Sequence, residues 1–114
     1  MEPYDFLIAV IAHRPEYRLG FGEREFQEII LERYPEHKEF FSKLGVRPHH
    51  MHGDSGRLQQ ALSALVQNGV VKRWEDGVCT WDFPDSPQKY YQSKIAQTLY
   101  TDERRELLEI IREM

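Results

Sequence analysis

The side chains best suited to bind a metal ion lie in one short segment, "PHHMHGD" at residues 48 to 54. Imidazole and carboxylate groups together can bind zinc, nickel or iron. The spacing matches no established zinc pattern, and the nearest further ligands are distant in sequence. We therefore predict solvated loop histidines and no metal site, and keep four residues as candidate ligands: His49, His50, His52 and Asp54.

A second group of polar side chains lies on one predicted helix, over residues 55 to 68. Turning this helix by 100° per residue buries its leucines and leaves a polar outer face. Glutamine and serine can donate to and accept from base edges, and arginine can bind guanine with two hydrogen bonds. The outer face and its margins carry Arg57, Gln59, Gln60, Ser63 and Gln67.

Charge is distributed unevenly along the 114 residues, whose formal net charge is −4. Residues 22 to 39 are rich in glutamate, whereas residues 43 to 73 contain five lysines and arginines and one acid, Asp54. The net charge argues against indiscriminate nucleic-acid binding. The basic middle of the chain still offers cations for phosphate contacts, namely Arg47, Lys72 and Arg73.

Several other classes of protein are not indicated. The sequence has no phosphate-binding glycine loop, no helical His-Glu-x-x-His and no supported Ser-His-Asp order, so we predict no enzyme and no cofactor. A single cysteine, Cys79, cannot form an internal disulfide, which favours a cytoplasmic location. The apolar run near the N-terminus is too short for a membrane span and lacks a basic start, so we expect no membrane partner.

The hydrophobic pattern predicts a mainly α protein with a small β-hairpin, an α+β class. A first helix begins at Pro3 and ends before Pro15, "YRLGFG" forms a brief strand, and "EREFQEIILERY" forms an amphipathic helix that ends at Pro35. A short helix closes at Gly45. After the hairpin, Ser86 caps a helix, and a last helix starts near Thr101.

The hairpin is predicted over residues 70 to 83. Asp76-Gly77 is a strong signal for a two-residue turn, which would pair Trp74 with Cys79. Alternation then places Val70, Trp74, Cys79, Trp81 and Phe83 on the core face, with Lys72 at its edge and Val71 and Arg73 on the other face.

The segment "LQQALSALVQNGVVKRWEDGVCTW" resembles the winged helix-turn-helix superfamily, with a recognition helix at about 55–68 and a wing at 70–83. Residues 1–83 would form the winged-helix domain. Residues 84–114 would form an appended helical extension of the same compact domain, similar to the layout of PadR-like and MarR-like regulators. The resemblance implies sequence-dependent binding of double-stranded DNA in transcriptional control, through Arg47, Arg57, Gln59, Gln60, Ser63, Gln67, Lys72 and Arg73. One departure is the long segment at about residues 35–53, where a compact motif has a tight turn.

Two alternative functions stay open. One is an acidic winged-helix module that binds proteins and not DNA. The other is a regulator that responds to metal or pH through the His49–Asp54 loop, whose protonation would tighten DNA binding. The resemblance also implies a homodimer through residues 86–114, although Leu107, Leu108 and Ile111 could equally fold back onto their own domain.

Overall fold

A computed structural model describes residues 1–20, 22–47 and 56–114, without the side chain of Glu23. Its described part is mainly helical with one small antiparallel sheet, which agrees with the predicted α+β class. The helices are α1 Pro3–Ala12, α2 Glu23–Arg33, α3 Lys38–Lys43, α4 Gly56–Gln67, α5 Pro87–Tyr90 and α6 Thr101–Glu113. The strands are β1 Arg18–Leu19, β2 Val71–Arg73 and β3 Cys79–Trp81.

Helix α1 lies at the centre of the molecule. Its residues from Phe6 to Ala12 are all buried, which explains why this helix is apolar on every side and not on one stripe. It packs against α4, α5 and the π-helical turn Tyr91–Ile95 that follows α5. The long apolar run of the N-terminus is therefore the core of the fold.

The sheet has the strand order β1-β3-β2, so the strand that follows α1 pairs with the second strand of the hairpin. Arg18 lies opposite Thr80, and Leu19 lies opposite Cys79. The brief strand predicted in "YRLGFG" is confirmed, and it joins the N-terminal part of the chain to the hairpin.

The predicted register of the hairpin is wrong by one residue. Arg73 lies opposite Cys79, where the two-residue turn would have placed Trp74. Gly77 N donates to Trp74 O at 2.9 Å, and Gly77 has a positive φ of 83° while Asp76 does not. This is a three-residue loop with glycine in the left-handed position, which a type I turn requires before the strand resumes.

The one-residue shift exchanges the two faces of β2. Val71 is buried at 2% exposure, whereas Trp74 is 49% exposed and Phe83 is 46% exposed. Lys72 and Trp74 therefore lie on the outer face of the sheet and not at the core. Trp81 keeps its predicted side and packs, partly buried, against the core.

The C-terminal segment folds back onto the rest of the chain. Ser86 caps α5 as predicted, and Tyr91, Ile95 and Leu99 share a buried face. In α6, Leu107, Ile110 and Ile111 are buried within the single chain. These apolar side chains are already covered before any second copy is added.

Among the described residues, no helix is both long enough and apolar enough to cross a bilayer.

Candidate nucleic-acid interface and a buried histidine cluster

The outer side of α4, here called the α4 face, is exposed in the described part of the structure. Its apolar stripe packs into the core through Leu58, Leu62 and Leu65, and this fixes which side of the helix is turned outward. The side chains that sequence analysis assigned to the outer face and its margins are all exposed: Arg57, Gln59, Gln60, Ser63 and Gln67. A helix of this length is about 18 Å long, which suits a major groove.

Arg47 joins this surface at the N-terminal end of α4. Together with Arg57, Gln60 and Gly45 it lines an open depression of about 450 Å³. The aliphatic stem of Arg57 lies over Gly45, whose φ of +87° requires glycine. A side chain at position 45 would clash with Arg57, so this glycine makes room for the arginine stem.

Gln59 differs from its neighbour Gln60. Its Nε2 donates to Gln27 Oε1, a contact that links α4 to α2. Gln59 was predicted to contact DNA, and the structure places it at the margin of the α4 face with a partner in its own chain.

The outer sheet face, formed by Arg18, Lys72, Trp74 and Thr80, is a second exposed surface. Lys72 Nζ lies 4.5 Å from the centre of the Trp74 ring, and Trp74 Nε1 donates to Thr80 Oγ1 at 3.0 Å. The cation–π contact and the hydrogen bond hold both side chains against the sheet. Arg18 stands across β3 in the same row, with Glu16 3.6 Å away as an exposed ion partner.

Lys72 and Arg73 do not share a surface, although both are exposed. Successive residues of a strand point to opposite faces, and Arg73 lies on the side of Cys79. The structure thus brings Arg47, Arg57 and Gln60 together. It separates the two cations that sequence analysis grouped in the wing.

The predicted metal candidates His49, His50, His52 and Asp54 lie outside the described residues. Cys79 is buried, as expected of a small apolar side chain in the sheet.

A different histidine, His37, is the buried polar side chain of the described core, at 7% exposure. It lies at the start of α3 and meets two carboxylates from α6. Its Nδ1 is 2.9 Å from Glu106 Oε2, and its Nε2 is 3.8 Å from Glu113 Oε2. Glu36 adds a third oxygen nearby, and we call these four residues the His37 cluster.

Sequence analysis missed both Arg18 and the His37 cluster. The position of Arg18 on the outer sheet face depends on the pairing of β1 with β3. The sequence does not specify the register of that pairing. The sequence of α6 contains one signal for the His37 cluster. Glu106 and Glu113 lie two helical turns apart and flank the buried Ile110, so two carboxylates border an apolar stripe. Nothing local to His37 indicated that α6 would meet it.

No protein-family model, no curated protein and no solved structure matches this chain, so its function is argued from its own residues.

Proposed function

We propose that this protein is a winged helix-turn-helix protein that binds double-stranded DNA and acts in transcriptional control, with α4 as its recognition helix. The order of elements supports this assignment. Helix α1, strand β1 and three further helices precede a hairpin, and β1 pairs with the hairpin to form a three-stranded sheet. This order supports the resemblance, with three helices between β1 and the hairpin where the resemblance expects two.

The observation that carries the proposal is the composition of the α4 face. Arg57 and Gln60 lie beside Arg47 in one open depression, and Ser63 and Gln67 continue the polar face along the helix. Arginine and glutamine are the side chains that most often read guanine and adenine in the major groove. An exposed helix with these side chains can therefore read base edges along its length.

The hairpin would supply the backbone contacts. Lys72 is exposed and positioned by the Trp74 ring, so its ammonium group is held at the surface and ready to contact a phosphate. Arg18 and Arg73 extend the positive charge on either side of the sheet. Phosphate contacts of this kind set orientation and carry no sequence information.

The test is fluorescence anisotropy of a labelled random duplex, titrated with protein at about 50 and 200 mM salt. The variant Arg57→Ala/Lys72→Ala removes one cation from α4 and one from the hairpin. Its matched control is Lys94→Ala/Arg105→Ala, which removes the same charge from exposed positions of the C-terminal segment.

We expect binding that weakens steeply with salt, and weaker binding by the Arg57/Lys72 variant with a salt slope smaller by about 0.9, the contribution of the one phosphate contact made by Lys72. The control should bind nearly as the wild type does. No binding at the lower salt, or equal loss in the two double variants, would refute the assignment.

A second candidate is a module that binds proteins. Trp74 and Phe83 are both about half exposed on the hairpin, and tryptophan is enriched in protein interfaces. Wild-type protein that fails to bind DNA, while Trp74→Ala abolishes a partner interaction found by cross-linking, would favour this function.

Homodimerisation through residues 86–114 remains a proposal. The buried stripe of α6 is not available to it, so a dimer would have to use exposed side chains such as Tyr90 and Tyr100, the latter 81% exposed. Light scattering of the wild type and Tyr100→Ser measures the mass directly. A monomeric wild type would reject the dimer.

Two further proposals concern conditions inside the cell. A cytoplasmic location fits the single cysteine, Cys79, which lies buried in the sheet.

Regulation through the His49–Asp54 loop predicts tighter DNA binding at about pH 6 than at about pH 8, because the imidazoles gain charge as pH falls. Equal affinity at both pH values would argue against this loop as a sensor.

A further inference from the structure

The His37 cluster contains two buried atoms that face each other without a hydrogen-bond partner. His37 Nε2 and Glu113 Oε2 are 3.8 Å apart, too far for a hydrogen bond, and neither has another hydrogen-bond partner among the described residues. Buried polar groups are nearly always satisfied, so this pair requires an explanation.

The other ring nitrogen of His37, Nδ1, indicates where the proton of the imidazole lies. Its Nδ1 lies 2.9 Å from Glu106 Oε2, and a carboxylate at this distance accepts a hydrogen bond from the ring. In the neutral imidazole the proton then resides on Nδ1, and Nε2 carries a lone pair. The lone pair of Nε2 is thus directed toward a carboxylate oxygen, and two electron-rich atoms face each other across a gap.

A cation fits this gap. Bonds from zinc to imidazole nitrogen and to carboxylate oxygen are each about 2.1 Å, so one ion can bridge two ligands up to about 4.2 Å apart. Glu36 provides a third ligand: the ligand atoms of Glu36, His37 and Glu113 all lie within 4.8 Å of one another, so a small rotation of the exposed Glu36 side chain brings its oxygen to the ion. Glu36 is exposed, which gives the ion a route from solvent.

We propose that His37 Nε2, Glu113 and Glu36 form a binding site for a divalent transition-metal ion, with Glu106 as the residue that positions the imidazole. A histidine that binds a metal usually donates its other N–H to a carboxylate, which fixes the tautomer and the ring orientation. One imidazole and two carboxylates suit zinc, manganese or iron. Three protein ligands leave a fourth position open to water or to another molecule.

Two features oppose the binding of a metal ion, a nearby positive charge and a competing proton. Arg33 Nη2 donates to the backbone oxygen of Glu113 at 3.0 Å, so a fixed positive charge lies beside the site. A proton can also fill the gap, because His37 protonated on both nitrogens would pair with Glu106 and Glu113 together.

The site connects α6 to the N-terminal half of the chain. Glu36 and His37 lie between α2 and α3, whereas Glu106 and Glu113 belong to α6. A bound ion would stabilise the folded chain by mass action, in proportion to the logarithm of its concentration over Kd. This inference does not depend on DNA binding.

The first test is titration calorimetry of the full-length chain with Zn²⁺ at pH 7.5, with visible absorption of the Co²⁺ form as a spectroscopic readout. We expect one ion per chain. His37→Gln should abolish binding, and Glu113→Gln should weaken it at least tenfold. Because replacement of the buried His37 also tests folding, Glu113→Gln, which removes the charge of a partly exposed side chain, is the decisive variant.

Glu106→Gln tests the positioning role. We expect metal affinity to fall by about 10- to 100-fold, with a changed Co²⁺ spectrum and unchanged helix content, as for other carboxylates that orient a ligating histidine. An unchanged affinity would remove Glu106 from the site.

The control is the triple variant His49→Ala/His50→Ala/His52→Ala, which removes the three histidines of the other candidate site. We expect it to bind the ion as the wild type does. Loss of binding in this variant with retention in Glu113→Gln would place the metal in the histidine-rich segment and overturn the proposal. Failure of Zn²⁺, Co²⁺ and Mn²⁺ to bind the wild type would also overturn it, and the gap would then belong to a protonated His37.

Discussion

The α4 face and the His37 cluster are two polar regions of the described chain, and they differ in burial. Arg57, Gln60 and Gln67 are exposed, so water can satisfy them and their presence costs the fold little. His37 and Glu113 place polar atoms in the interior, where a missing partner costs about 1–3 kcal/mol.

This difference in burial decides how strongly a polar side chain indicates function. Exposed polar residues are compatible with solvation alone, so the α4 face indicates function mainly through its residue types and its position on a helix. Buried atoms without partners require a physical reason, so the His37 cluster indicates a ligand or a proton through geometry alone. Substitutions in the first region should change binding, and those in the second should change stability.

The largest expected effect concerns the side of α6 that borders the cluster. Ile110→Ala removes a fully buried side chain and should lower the free energy of unfolding by about 2–5 kcal/mol. Urea unfolding followed by circular dichroism measures the loss. The adjacent Glu109→Ala, at an exposed position, should stay within about 0.5 kcal/mol. Equal small effects would mean that α6 is not part of the core.

A smaller effect distinguishes two neighbouring glutamines of α4. Gln60→Ala should lower discrimination between cognate and altered duplexes by about 1–3 kcal/mol, since it removes a side chain able to read adenine. Gln59→Ala should have less effect on discrimination, because Gln59 already bonds to Gln27. Competition anisotropy with single-base substitutions measures both. The reverse ranking would contradict the outward orientation assigned to Gln60.

The hairpin register gives a third test, since it decides whether Trp74 belongs to the exposed region. Trp74→Ala should cost about 1 kcal/mol or less, mainly the contacts with Lys72 and Thr80. Trp81→Ala should cost at least twice as much, because Trp81 packs against the core and its Nε1 donates to Asp85 O. Denaturant unfolding of the two variants measures the loss of stability in each. A larger loss for Trp74→Ala than for Trp81→Ala would support the two-residue turn instead.

The smallest effect concerns another buried atom without a partner, the hydroxyl of Tyr91. Tyr91→Phe should leave stability unchanged or raise it by up to about 1 kcal/mol at neutral pH. Burial raises the pKa of Tyr91, and Arg104 lowers it in smaller measure.

The pH dependence of Tyr91 has a defined sign. The folded state holds the phenolic proton more tightly than the unfolded state does, so its contribution is present below about pH 10 and is lost as pH rises further. Wild-type protein should therefore lose more stability than Tyr91→Phe between about pH 8 and 10.5. The exposed Tyr90→Phe is the control and should follow the wild type.

Local sequence signals predicted α4 well. Its apolar spacing gave the buried stripe, and Gly69, just past its end, has the left-handed conformation typical of a helix cap, with a φ of 73°. The outward orientation of Arg57, Gln60, Ser63 and Gln67 followed directly, because the period of a helix does not depend on its neighbours.

The prediction of the hairpin register failed because side chains alternate between the two faces of a strand, with a period of two. "EDG" fits a two-residue turn around Asp76-Gly77 and also a three-residue loop, and the choice between them moves every side chain of β2 to the other face. The His37 cluster could not be predicted for a different reason. It depends on how α6 docks, and no pattern within α6 states which residues of the N-terminal half it meets.

The docking of α6 also bears on the order in which the chain can assemble. The hydrogen bond from His37 to Glu106 joins residues 69 apart, and that from Arg33 to Glu113 O joins residues 80 apart. Closing such long loops has a high entropic cost, so contacts of this kind form late, after helices and hairpins with local contacts. A nascent chain that has reached the hairpin would already contain every residue of the α4 face, while the His37 cluster would still lack both of its carboxylates from α6.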